Sequence, residues 1–120
     1  MRVAITSQGT DLDSPVDPRF ARAKWFLIVD IETREVETVD NAQNLQAAHG
    51  AGPQAAQTVV NSGVGAVITG HCGPRAFRTL QAVGVEVMIG AEGTVAEALE
   101  KYENGELRSA EQADVEAHWV

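Results

Sequence analysis

The sequence predicts an α/β fold, with one five-stranded mixed sheet in the spatial order 3-2-1-4-5, strand 2 antiparallel to the rest, and three helices. Two observations carry this. A hairpin pattern of two strands around a tight turn ends the first third of the chain. After it, short apolar runs of strand length alternate with stripes of helical period. The 120 residues suffice for one core and leave little room for a second.

Val3 to Thr6 reads as the first strand. Residues 7–22 follow as a long polar loop with two prolines, a length that in a compact domain marks function or disorder. Trp25-Phe26-Leu27-Ile28-Val29 is apolar on both faces, hence a central second strand. Glu32-Thr33-Arg34 turns the chain into a third strand, Glu35 to Val39, whose charges suit a sheet edge. Residues 40–52 form a second polar loop, and Pro53 opens a helix with Ala55, Ala56, Val59 and Val60 on one stripe and Gly63 just past its end. Ala66 to Thr69 is the fourth strand. The turn 70–73 leads into a helix from Pro74 that points Phe77 and Leu80 inward and ends near Gly84. Val85 to Ile89 is the last strand. Thr94-Val95-Ala96-Glu97 is a capping box for a helix carrying Val95, Ala98, Leu99 and Tyr102, stopped by Asn104-Gly105. Residues 1–105 are expected to form the domain, and 106–120 an acidic tail.

A hairpin followed by two right-handed crossovers gives the sheet order above, which is that of the ribonuclease-H-like architecture. The loops after strands 1, 3, 4 and 5 then leave the same edge and carry Arg19, His49, Cys72 and Arg75. Open α/β sheets bind ligands outside the carboxyl ends of their strands, at a switch in strand order.

Charge points to the chemistry. The net charge of −8 argues against nucleic acid and anionic membranes as partners. Yet five of the nine basic residues, Arg19, Arg22, Lys24, Arg75 and Arg78, fall in two short stretches at that one edge. Gly70-His71-Cys72-Gly73-Pro74 is a strand-to-helix junction whose first-turn N–H groups face the loop with the positive helix end behind them. That arrangement suits a small anion. The plainer reading is arginines paired with surface carboxylates. No apolar run reaches membrane-spanning length, and MRVAITS enters a strand without a signal-peptide core, so a cytoplasmic location is expected. One cysteine excludes an internal disulfide and any paired CxxC metal site.

Three motifs carry a family resemblance: Asp17-Pro18-Arg19-Phe20 leading into Phe26-Leu27-Ile28-Val29-Asp30, His49-Gly50-Ala51-Gly52, and Ile68-Thr69-Gly70-His71-Cys72-Gly73-Pro74-Arg75-Ala76-Phe77. With them the chain resembles the dinitrogenase iron–molybdenum cofactor family, which includes NifX-type carriers, the C-terminal domain of NifB and the orange protein. The resemblance spans residues 1 to 105 and departs from the family at Ala21, where glycine is expected. It implies a ribonuclease-H-like fold and a non-catalytic role: binding an anionic metal–sulfur cluster without covalent attachment, of iron–molybdenum or molybdenum–copper sulfide type, with a protein partner for delivery. Such a soft polyanion suits Arg19, Arg75 and Arg78, backbone at Gly70 and Gly73, Phe20 as a wall, and His49 and His71 alongside. Cys72 is either a copper ligand with His71 or His49, or a half-buried structural thiol.

An enzymatic alternative uses the same stretch. His71-Cys72-x5-Arg78-Thr79 fits HCx5R[ST], a signature resembling that of protein tyrosine phosphatases, in which the cysteine attacks phosphate and the arginine clamps it. Pro74 removes an N–H from such a cradle, and Arg75 stands where glycine is usual. A third reading is a partner-binding domain without a cluster, using the tail around Trp119.

Overall fold

The structure, a computed structural model, describes residues 1–42 and 50–110. The sheet has strands β1 (Arg2–Ser7), β2 (Trp25–Asp30), β3 (Val36–Asp40), β4 (Ala66–Ile68), β5 (Glu86–Ile89) and β6 (Arg108–Ser109). The helices lying wholly within the described residues are α1 (Ala51–Asn61), α2 (Pro74–Ala82) and α3 (Val95–Glu103). The order is β3-β2-β1-β4-β5-β6, so the α/β class and the expected neighbours stand. The count of five strands is corrected to six. Past α3 the chain turns back, and Arg108 and Ser109 pair antiparallel with Ile89 and Met88. A two-residue exposed strand has no apolar alternation to announce it.

β2 is antiparallel to both β1 and β3, whereas β1, β4 and β5 run parallel. Alternation sorts the side chains onto two faces. Ala4, Phe26, Ile28, Val67, Val87 and Ile89 pack under α1 and α2. Val3, Ile5, Leu27, Val29, Ile68 and Met88 pack under α3. Each fully buried large side chain contributes about 1.5–3 kcal/mol, so both layers hold the sheet firmly.

The helix ends follow local chemistry. α1 starts at Ala51, two residues before the expected Pro53, because Gly50 takes a left-handed φ of 76° and its carbonyl accepts from Gln54 N–H at 3.0 Å. Pro53 is tolerated there because first-turn N–H groups have no intrahelical acceptor. At the other end Gly63 is left-handed at φ 71°. α2 begins on Pro74, with Gly73 carbonyl accepting from Phe77 N–H at 3.0 Å. α3 has the full capping box: Thr94 Oγ1 accepts from Glu97 N–H at 3.1 Å, and Glu97 Oε1 from Thr94 N–H at 3.0 Å.

The β2–β3 turn is held by Asp30, whose Oδ1 accepts from Glu32 and Thr33 N–H. Arg34 has a left-handed φ of 66°, which costs a non-glycine residue about 1–2 kcal/mol. Its guanidinium bridges both oxygens of Glu103 at 2.8 Å, tying the turn to the end of α3.

Candidate functional site

The carboxyl ends of β1 and β4 flank the point where the sheet changes direction, and there the long loop 7–22 is a fitted strap. Its first half closes the N-terminus of α3: Ser14 carbonyl accepts from Val95 N–H, Leu12 carbonyl from Ala96 N–H, and Gly93 carbonyl from Val16 N–H. Its second half lies on the β4–α2 turn as a parallel bridge between Arg19 and His71. His71 N–H donates to Pro18 carbonyl at 2.8 Å, and Phe20 N–H to His71 carbonyl at 3.2 Å. Two loops far apart in sequence thus become one surface.

Gly70 makes the junction possible. A Cβ there would lie 2.7 Å from Pro18 carbonyl oxygen and 2.8 Å from its Cα, so the strap crosses at backbone distance. Beneath it is a buried polar group. Thr6 Oγ1 donates to Asp17 carbonyl at 2.7 Å and lies 2.9 Å from Thr69 Oγ1, with both threonines fully buried. Asp17, 9% exposed, accepts at its carboxyl from the backbone N–H groups of Arg19 (3.0 Å) and Lys24. Burial pushes that carboxyl above the ordinary 3.8, while the two N–H groups and the Arg19 charge pull it back.

The N-termini of α1, α2 and α3 differ. α3 is closed by its capping box and by strap carbonyls. α1 and α2 have neither a side-chain cap nor an acidic residue in the first turn. They sit side by side: a Cβ at Gly52 would lie 3.3 Å from Ala76 N and 3.7 Å from Arg75 Cβ. Two positive helix ends therefore converge beside the strap, in reach of an anion.

The expected residues divide. Arg19 and Arg75 are exposed at this edge and make no ion pair among the described residues. His71 is half-buried, its backbone engaged by the strap. Gly70 and Gly73 line the turn. Arg78 is exposed, but its Nε donates back to Pro74 carbonyl at 3.4 Å, one turn along α2. Phe20 differs from expectation: its ring is fully buried, 5.4 Å from that of Phe26, so only its backbone belongs to the strap. Cys72 also differs. Its side chain is 0% exposed within the core under α1 and α2, and Sγ donates to Gly73 carbonyl at 3.7 Å. Buried among apolar side chains, the thiol is not presented by the loop as a nucleophile. Among the described residues no group of three His, Cys, Asp or Glu could hold a metal ion. His49 and Trp119 lie outside the described residues.

Sequence reasoning missed two residues that shape the site. One is Asp17 as a loop clasp. The other is Asn41, fully buried, whose Nδ2 donates to Ala21 carbonyl at 3.0 Å and Ala23 carbonyl at 2.8 Å. Asp17-Pro18 does signal a turn, but nothing local announces a bond across eighteen or twenty residues.

Relatives share this arrangement of elements. The apo orange protein of Desulfovibrio gigas superposes with a TM-score of 0.92 at 42% identity, covering 95% of this chain and 96% of that one. A NifB-like protein from Thermotoga superposes with a TM-score of 0.79 at 45% identity, over 90% and 91% of the two chains. An uncharacterized protein of Methanocaldococcus jannaschii is 29% identical over 92% of each chain. The family description "dinitrogenase iron-molybdenum cofactor" matches residues 1–105. The chain belongs to the dinitrogenase iron–molybdenum cofactor family.

Proposed function

We propose that this chain is a non-catalytic, cytoplasmic carrier of an anionic molybdenum-type metal–sulfur cluster, held without covalent bonds at the carboxyl edge of a ribonuclease-H-like sheet. The observation that carries the reading is the convergence of two uncapped helix N-termini with the exposed Arg19 and Arg75, in a protein whose net charge is −8. Sulfide-rich polyanions accept hydrogen bonds from guanidinium and backbone N–H groups and require no protein thiolate. Arg19 and Arg75 supply charge, the 70–73 turn supplies close backbone, and His71 and Arg78 complete the rim. Cys72, sealed in the core, supports the turn. We assign any copper to the cargo itself, with a partner protein receiving the loaded cluster.

The test is an anaerobic titration with tetrathiomolybdate, with and without copper, followed by gel filtration and visible absorption. Colour should co-elute with the protein. Arg19→Ala and Arg75→Ala should each weaken retention about 10–100-fold, the worth of a charge-assisted contact, with stability changed by no more than about 0.5 kcal/mol. Retention unchanged in both variants would move the cargo away from this edge.

A further inference from the structure

The cations at this edge need something to hold them outward, since exposed arginines on a loop would otherwise lose much of their binding energy to ordering. We propose that Asp17 is the positioning residue of the strap: its buried carboxyl fixes segment 17–24 and thereby aims Arg19 at the cargo. This rests on the carrier reading above for what Arg19 binds, but not for the clasp itself.

The geometry is specific. Asp17 is fixed by its own backbone, which donates to Thr6 carbonyl at 3.0 Å and accepts from the Thr6 hydroxyl at 2.7 Å. Its side chain then accepts from the N–H of Arg19 at 3.0 Å and, more weakly, from that of Lys24 seven residues on. The two bonds close the loop that contains Arg19 and Arg22 onto a single anchor in the sheet. Between them Ala21 and Ala23 carbonyls are held by Asn41, so the far side of the loop is fixed as well. An acidic residue beneath an anion site would be a liability for affinity. Its burial and its two N–H donors fit a part whose work is to hold backbone rather than to face the ligand.

The experiment pairs Asp17→Ala with Asp17→Asn, the latter keeping an Oδ1 acceptor, and reads each alone and with Arg19→Ala. Amide hydrogen exchange of the ligand-free protein comes first. Asp17→Ala should accelerate exchange at Arg19, Phe20, Lys24 and His71 while leaving β4 and α3 protected, and Asp17→Asn should restore most of the protection. Tetrathiomolybdate affinity should fall about tenfold in Asp17→Ala, the value of one lost oriented contact. In the Arg19→Ala background, Asp17→Ala should cause no further fall. Unchanged exchange at those amides overturns the clasp. Losses that multiply in the double variant overturn the action through Arg19. If the wild-type chain retains no tetrathiomolybdate, the carrier reading fails and the exchange data alone decide for or against the clasp. Should Asp17→Ala not fold, Asp17→Asn with protection weaker than native at Lys24 supports the inference, and native protection throughout overturns it.

Discussion

Replacing Gly70 with alanine tests whether the strap is a packed element or a draped loop. The new Cβ would lie 2.7, 2.8 and 3.2 Å from three backbone atoms of Pro18, and ordinary contact begins at 3.4 Å. No rotamer change relieves this, so the strap must retreat by roughly 0.7 Å in an interior that tolerates little displacement. That retreat stretches the His71 N–H bond to Pro18 carbonyl and the Phe20 N–H bond to His71 carbonyl. The two bonds are worth about 0.5–1.5 kcal/mol each. The steric misfit adds about 1–3 kcal/mol, and the stiffer unfolded chain returns about 0.4–1 kcal/mol. The net expectation is a loss of about 2–4 kcal/mol, a fall in Tm of about 8–16 °C for a domain of this size. Urea unfolding followed by circular dichroism gives the first number, and exchange at the Phe20 and His71 amides locates it. An unchanged midpoint with full protection at His71 would refute the reasoning.

Other outcomes follow from the same structure. Asn41→Ala should cost about 2–3 kcal/mol in urea unfolding, because Ala21 and Ala23 carbonyls lose their buried donor; a change below about 0.5 kcal/mol would mean the loop finds other partners. Cys72, fully buried, should resist a thiol reagent in the folded protein and react on unfolding, and rapid native labelling would contradict its placement. The Asp30 carboxyl is held below the ordinary 3.8, first by Thr33 N–H and then by Glu32 N–H. A lowered folded pKa contributes stability above the unfolded value that is lost as pH falls through the folded one. Asp30→Asn should therefore flatten the decline of Tm below pH 3.8, and parallel acid titrations of the two proteins would argue against the turn assignment.

How far the sequence could be read depended on the kind of interaction. The sheet core follows from one hairpin and two crossovers, because chirality and chain length leave few alternatives. α3 was legible from Thr94 and Glu97, whose capping bonds span three residues. That Arg19 and Arg75 share one edge could be inferred because strand direction alone gathers the loops that bear them. The burial of Phe20 and Cys72 was not legible for a shared reason: each lies in a polar loop, yet tertiary packing turns each side chain under the helices. The closure of α3 by Ser14 and Leu12 was invisible because carbonyl groups belong to every residue and carry no signature. β6 was missed because two exposed residues make a strand only through the partner beside them.

The doubly apolar β2 has a consequence for how accurately the chain assembles. In a strand with one wet face, a one-residue slip exposes apolar groups and is rejected at once. Here a slip would exchange Phe26 and Ile28 for Leu27 and Val29, oil for oil on both faces. Fidelity of pairing must then be enforced at the strand's two ends. At one, Asp30 donates to Glu35 carbonyl, and Arg34 is held in its uncommon conformation by Glu103. At the other, Asn41 N–H finds Lys24 carbonyl. Damage at those few positions would leave the composition of the core intact while loosening its alignment, yielding misregistered chains rather than unfolded ones.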